Sequence, residues 1–347
     1  MNGIRIRLPL TENNTGIRIP LPIIKPKFNL DFLDKKQKKK YIFNDLDHYL
    51  EIEHKRIGNG TFGSVYLYES KKGIRMAVKE QFVKEDKIKN LENECLNLLN
   101  CKSKHAVKCY GVNYKDNILY IFMEYMETGP LRKLCTVNFA KKNESFNEVV
   151  KRKKYLIQKE NVISYMARKI LKSLHYLEKK KIWHRDIKPE NILIDKQGYP
   201  KLIDFGVSKE VRDTLNQETL TGTYKYSSPE RLIMKGINGN EFKIDIFSLG
   251  LILWEMAEGK FPIIYRYQGD FNYFWYNQDK FIKEKEEIVF PVSFSAEFKD
   301  FLISCLDKDV NERKEITELL KHDFITNTWR KKKEKRIRKR ILKLFGQ

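Results

Sequence analysis

Three runs of residues in this chain have types and spacings that could do chemistry. The first is Gly58-Asn59-Gly60-Thr61-Phe62-Gly63. Glycines at these intervals let a backbone approach phosphate oxygens closely and point N–H donors at them. Dinucleotide-binding turns share the spacing, but they open a helix, whereas the flanking runs here, Tyr49–Ile57 and Ser64–Tyr68, read as strands. A plain hairpin turn is the alternative. Val65, just after the glycines, offers an apolar wall suited to a purine ring. The second run is Met76-Ala77-Val78-Lys79. A lysine at the end of an apolar strand needs an anionic partner if buried. Alone it would read as an edge lysine, but downstream of the glycine loop Lys79 is placed to hold the α- and β-phosphates. Glu94 is its expected ion-pair partner, since it precedes Leu98 by one helical turn and fits the inward face better than Glu92. The third run is the strongest signal: His184-Arg185-Asp186-Ile187-Lys188-Pro189-Glu190-Asn191, followed by Lys201-Leu202-Ile203-Asp204-Phe205-Gly206.

The elements that must position these runs fall into two blocks. From Tyr49 the chain reads as short strands on either side of the glycine loop, a third strand at Arg75–Glu80, and two more at Val107–Val112 and Ile118–Glu124. Between them, Lys87–Asn100 carries Ile88, Leu91, Cys95, Leu98 and Leu99 at helical spacing. After Gly129 the pattern turns helical, with Asn161–Lys179 and Lys243–Gly259 long and Phe298–Asp307 and Lys314–His322 shorter. Residues Asn138–Tyr155 read as a solvated Lys-rich insertion. The prediction is an α+β chain with a β-rich lobe, an α-rich lobe and a cleft between them.

Composition bounds the rest. The 347 residues are 41% hydrophobic and 33% charged, which excludes a wholly disordered or collagen-like chain. The formal charge is +22 and is uneven: residues 330–347 hold ten Lys/Arg against one Glu, and residues 1–47 hold ten against five. Five scattered cysteines without a CxxC pattern point to reduced thiols rather than a disulfide framework or a zinc site. The longest apolar stretch, around Ile244–Ala257, is too short to span a bilayer, and the N-terminus lacks a signal peptide's apolar run. The expected layout is a flexible basic extension over 1–47, a catalytic unit over 48–326 divided at 126/127, and a basic tail over 327–347.

The glycine loop, Lys79, the His184–Asn191 run and the Lys201–Gly206 run occur in an order that identifies a family. Residues 49–325 resemble a eukaryotic-type protein kinase, which implies a bilobal kinase fold with ATP and Mg²⁺ as cofactors. Phosphoryl transfer rests on positioning and charge neutralisation. The resemblance implies that Asp186 accepts or orients the acceptor hydroxyl's proton, that Lys188 steadies the γ-phosphate, and that Asn191 and Asp204 hold Mg²⁺. It implies an ATP site built on Ile57, Gly58, Gly60, Gly63, Val65 and Lys79. Ala77, Val65 and Leu193 would sandwich the adenine, Met123 would lie behind it, and the hinge Glu124–Met126 would offer backbone hydrogen bonds. A lysine two residues after the catalytic Asp marks the Ser/Thr branch. Asp245 matches the buried Asp that braces the catalytic loop, Arg313 matches the arginine that pairs with Glu230, and Thr223 matches a Thr that reaches the loop.

Asp204–Ser208, Gly222-Thr223, Ser228–Leu232 and Met123 together resemble MAP kinase kinases. That resemblance implies dual specificity, a MAP kinase as protein substrate, and an upstream activating kinase acting on Thr214 and Thr219, with Arg185 available to a phosphate. This loop departs from that subfamily by one extra residue and by having Thr at both sites. The alternatives are a divergent Ser/Thr kinase outside such cascades, or a kinase-fold scaffold working through its basic ends. Arg5–Leu10 and Lys25–Leu30 read as docking segments or as plain basic tail. Arg330–Phe345 places Ile337, Ile341, Leu344 and Phe345 at helical spacing. It reads as a nuclear-import signal, a contact for anionic membrane or nucleic acid, or simply a solvated charged helix. The expected location is cytoplasmic, with the nucleus as the alternative.

Overall fold

The structure, a computed structural model, describes residues 10–12, 18–20, 55–60, 63–69, 73–84, 88–101, 103–104, 106–135, 160–204, 224–232, 241–259, 261, 290, 293–327 and 331–346. In the N-terminal extension, Leu10–Glu12 pairs antiparallel with Arg18–Pro20. The proline-rich composition did not predict this ribbon. The Lys25–Leu30 segment and the 138–155 insertion lie outside the described residues.

The first lobe is a five-stranded antiparallel sheet. Its strands are β1 Lys55–Gly60, β2 Gly63–Glu69, β3 Arg75–Phe82, β4 Cys109–Lys115 and β5 Ile118–Glu124, in the order β1-β2-β3-β5-β4. Helix α1, Ile88–Asn100, lies between β3 and β4 in the chain. Period-2 alternation assigns the faces of β3. Met76 and Val78 join Tyr68 and Phe122 in a small outer cluster. Ala77 and Lys79 line the opposite face, in the interlobe cavity. The β1–β2 register shifts between Arg56 and Gly58. That bulge leaves Ile57 outside the pairing and re-aims it toward the same cavity.

The second lobe begins with β6 Gly129–Pro130 and α2 Arg132–Cys135, followed by α3 Glu160–Lys179. Strands β7 Ile192–Ile194 and β8 Pro200–Leu202 join β6 in a three-stranded sheet. The helices that follow are α4 Pro229–Leu232, α5 Glu241–Glu258, α6 Ala296–Leu306, α7 Ile316–Leu319, α8 Asp323–Thr326 and α9 Lys331–Leu344. Helix α5 is buried round almost its whole circumference (Ile246, Leu249, Ile252, Leu253 and Met256). A helix apolar on every side belongs in the middle of a core, and α3 and α6 pack against it. The expected helix over Lys314–His322 is the shorter Ile316–Leu319, and a second short helix, Asp323–Thr326, follows it. His322 N-caps the second, its Nδ1 accepting the Phe324 N–H at 3.1 Å. All five cysteines are free and buried.

The C-terminal segment is neither a free tail nor a helix solvated all round, which corrects the expectation for 327–347. Helix α9 packs on α3 with Ile337 and Ile341 buried in the main core. Its one acidic residue, Glu334, turns inward to Lys169 at 2.9 Å. Gly198 lets the helix come close: its φ is +83°, and a Cβ there would fall 3.0 Å from the Arg338 carbonyl oxygen. The amphipathic spacing was legible, but a complementary surface elsewhere in the fold decides what the apolar side meets.

Candidate active site

Two lobes of unlike structure meet at a cavity of about 400 Å³. Val65 and Ala77 line it from the first lobe and Leu193 from β7, with Met123 at the end of β5. Gly58 borders it without a side chain, and a Cβ there would point at Val65 from 3.6 Å, into space a ligand can use. Gly63 has a different reason to be glycine. A Cβ at this residue would stand 2.1 Å from the Glu80 carbonyl oxygen, so β2 and β3 could not approach as they do. Gly60 ends β1, and its surroundings lie outside the described residues, as do Thr61 and Phe62.

Lys79 is buried at 5% exposure, and its Nζ meets Asp204 Oδ1 at 2.9 Å. This contact links the lobes, because Lys79 sits on β3 and Asp204 follows β8. Burial works against the Asp204 carboxylate, but the Lys79 ammonium outweighs it and holds the pKa below the ordinary value. Asp204 has a φ of +57°, a backbone conformation rare outside glycine. The expected Lys79 partner Glu94 lies on α1, and its side chain is outside the described residues.

The catalytic-loop run forms a tight polar knot. Lys188 Nζ reaches Asp186 Oδ2 at 2.8 Å. Asn191 donates its Nδ2 to the Asp186 carbonyl at 2.8 Å and to Oδ2 at 3.0 Å, which commits the amide nitrogen and leaves Oδ1 as the end able to bind a cation. Pro189–Asn191 forms a 3₁₀ turn that places Asn191 directly before β7. Asn191 and Asp204 both line the cavity. Two hard oxygen donors beside a buried lysine suit Mg²⁺, which takes one or two protein ligands and completes its shell with phosphate oxygens and water. The residues present therefore fit Mg²⁺ and a nucleotide.

Buried groups behind the loop hold it in place. Burial keeps the His184 imidazole neutral by lowering its pKa to about 4. Its Nε2 donates to the Ile203 carbonyl at 2.9 Å, and its Nδ1 accepts the Asp186 N–H at 3.4 Å. One ring thus ties the loop to the strand end that carries Asp204. Asp245, on α5, accepts the His184 N–H at 3.2 Å and the Arg185 N–H at 3.0 Å. Burial raises its pKa to about 7, although both amides pull the other way. A native pKa above the unfolded value of about 3.9 means that the native state binds more protons between about pH 4 and pH 7. The contribution of Asp245 to stability therefore falls as pH rises through that window. The thermal midpoint of Asp245→Asn is expected to lack this part of the decline, and superimposable pH profiles for the two proteins would refute the assignment.

Arg185 has a φ of +59°, and its guanidinium lies 4.6 Å from the Trp183 ring centroid. The Thr214, Thr219 and Thr223 positions lie outside the described residues. Arg313 and Glu230 meet as a buried bidentate pair, Nη1–Oε1 at 2.7 Å and Nη2–Oε2 at 3.0 Å. At the hinge, the Glu124 N–H bonds the Lys108 carbonyl at 2.9 Å, so of its two backbone groups only the carbonyl can serve a ligand ring. Met126 lines the cavity beside it.

Two features escaped the sequence reading. Glu124 also pairs with Lys201, Nζ–Oε1 at 2.6 Å, joining the hinge to β8. Arg132 on α2 reaches Glu190 at 2.6 Å, Glu255 at 2.9 Å and the Tyr226 hydroxyl at 2.5 Å. No local pattern marks Arg132, because its partners come from three distant segments.

A fold of one antiparallel sheet lobe and one helical lobe, with Lys79, Asp186, Asn191 and Asp204 around the cleft, defines a protein kinase. The family model for the protein kinase domain matches residues 52–325, and the chain belongs to that family. Its relatives are serine/threonine kinases of more than one kind. It is 36% identical to Serine/threonine-protein kinase cst-1 of Caenorhabditis elegans over 278 residues, which is 78% of this chain and 50% of that one. It is 32% identical to Mitogen-activated protein kinase kinase 1 of Arabidopsis thaliana over 279 residues, 78% of this chain and 73% of that one. With Serine/threonine-protein kinase hippo of Drosophila melanogaster it shares 31% over 277 residues, 78% and 37% of the two chains. The chain thus spans about half the length of several curated relatives it matches.

Proposed function

We propose that this chain transfers the γ-phosphate of ATP to serine and threonine hydroxyls of proteins, with a MAP kinase as substrate and an upstream kinase acting on Thr214 and Thr219. The observation that carries the reading is the placing of Asp186, Lys188 and Asn191 in one hydrogen-bonded knot beside the Lys79–Asp204 contact. When bound, Mg²⁺ supplies charge neutralisation on the phosphates through the Asn191 oxygen and the Asp204 carboxylate. Lys79, already desolvated, offers its ammonium to phosphate oxygens without a large reorganisation cost. The Asp186 carboxylate orients the acceptor hydroxyl and takes its proton, and Lys188 beside it offsets negative charge that develops near the acceptor. The complete constellation disfavours a scaffold without activity. The five free thiols support a reducing, cytoplasmic setting.

The test is phosphate transfer from Mg·ATP to a generic basic protein and to a catalytically inactive MAP kinase, with identification of the phosphorylated residues. Modification of both Thr and Tyr in the MAP kinase activation loop is the expected result. Transfer confined to Ser/Thr of the generic protein would place the enzyme outside such cascades. No transfer to either, even with Thr214 and Thr219 phosphorylated, would revive the scaffold reading.

A further inference from the structure

Among the described residues of α9, every exposed side chain is a cation. Lys335, Arg336, Lys339 and Lys343 are exposed, and Arg340 is half-buried next to them. Lys335, Lys339 and Lys343 recur every fourth residue, so they form one line with steps of about 6 Å. The opposite side is spent on the core through Ile337 and Ile341, and Glu334, the sole acidic residue of 330–347, faces Lys169. Arg338 is held by the Gln197 carbonyl at 3.1 Å and by the Tyr199 ring at 4.5 Å. The helix therefore does not rotate to hide its charges. On α3, Arg168 and the buried Lys169, together with Lys104 from the segment before β4, lie near Lys172, and Glu334 partly offsets them. Burial first, and then these cations, hold the Lys172 ammonium below its usual range.

We infer that this face is a docking surface for an anionic lipid bilayer, binding phosphate-bearing headgroups by charge alone. A bilayer fits better than nucleic acid. The helix packs on α3, and its exposed described residues, Lys335, Arg336, Lys339 and Lys343, offer no ring to stack on a base and no amide or hydroxyl to read one. Clusters of four to eight Lys/Arg on a helix face are the usual electrostatic footprint for acidic lipids. The apolar side is already buried, so attachment needs no insertion into the acyl region. Helix α9 contacts α3, the β7–β8 turn and, through Phe345 beneath Lys133, the start of α2. None of these contacts involves Asp186, Asn191 or Asp204, so a docked enzyme keeps its cleft open to protein substrate.

The test is co-sedimentation of the full chain with phosphatidylcholine vesicles, with and without 30 mol% (roughly) phosphatidylserine, across a salt series. Binding is expected only to the acidic vesicles and is expected to weaken as salt rises. Replacing Lys335, Arg336, Lys339 and Lys343 together by Gln should lower the partition coefficient by several-hundredfold, at roughly fivefold per cation. Activity on a soluble peptide should stay unchanged. Parallel neutralisation of Lys35–Lys40 should leave most of the binding in place. Equal binding to neutral vesicles, or an unaffected quadruple variant, would overturn the proposal. So would tighter binding to duplex DNA than to the acidic vesicles with the same loss in the variant, which would reassign the surface to nucleic acid.

Discussion

Asp186→Asn is expected to lower kcat by about 10²–10⁴-fold while leaving KM for ATP close to that of the wild type. The carboxylate does not lie among the apolar walls that hold the base. It sits at the far end of the cavity, gripped by Lys188 at 2.8 Å and by the Asn191 amide at 3.0 Å. An asparagine preserves shape but cannot accept a proton. The two donors that now converge on Oδ2 keep a carbonyl oxygen to bond, so the fold should survive, with the thermal midpoint shifted by no more than about 4 °C. Steady-state kinetics with a peptide acceptor, together with a melting curve, check both halves. A variant within tenfold of wild-type kcat would remove Asp186 from the chemistry and leave it a positioning role.

The second large effect concerns stability. Arg313 is fully buried and satisfies Glu230 with both Nη atoms, while also donating to the backbone carbonyls of Lys243 at 2.8 Å and Asp307 at 2.9 Å. Its guanidinium lies 4.9 Å from the Phe247 ring centroid on α5. Arg313→Met strands the Glu230 carboxylate and two carbonyls in the core. Breaking a buried pair from one side costs about 3–5 kcal/mol, which corresponds to a fall in thermal midpoint of about 6–20 °C at ~2–4 °C per kcal/mol. Replacing both partners, Arg313→Met with Glu230→Leu, should recover part of the loss, because no lone charge then remains buried. A single-variant midpoint within about 3 °C of wild type would show that the pair contributes little. Glu230 opens α4, at the end of the segment that follows the site, and Arg313 precedes α7. The pair therefore anchors α4 to the helical core.

Much of the site was readable because its runs are local. His184–Asn191 folds as a loop closed by a 3₁₀ turn, so Asp186, Lys188 and Asn191 meet through bonds spanning two to five residues. Period-2 patterning placed Ala77 and Lys79 on one face of β3, and helical spacing found α1, α3 and α5 to within a few residues at each end. The bulge at Ile57 carries no comparable signature, and neither does the break between α7 and α8. Each depends on a cross-strand register or a cap that competes with an otherwise continuous pattern.

The order of the motifs, the strand and helix periods and the charge imbalance of the two ends belong to the residues themselves, because each is set by near neighbours along the chain. Folding decided the pairings between residues far apart: Lys79 with Asp204, Glu124 with Lys201, and Arg132 with Glu190, Tyr226 and Glu255. It also decided the fate of the last helix. Amphipathic spacing made Arg330–Phe345 a helix with one apolar side. Lys169, Gly198 and Tyr199 on neighbouring elements receive this helix through Glu334 and Arg338, while Ile337 and Ile341 join the core and Lys335, Arg336, Lys339 and Lys343 stay exposed. Burial of an apolar face is favourable wherever a shape-complementary partner exists, and no local pattern of residues contains that partner.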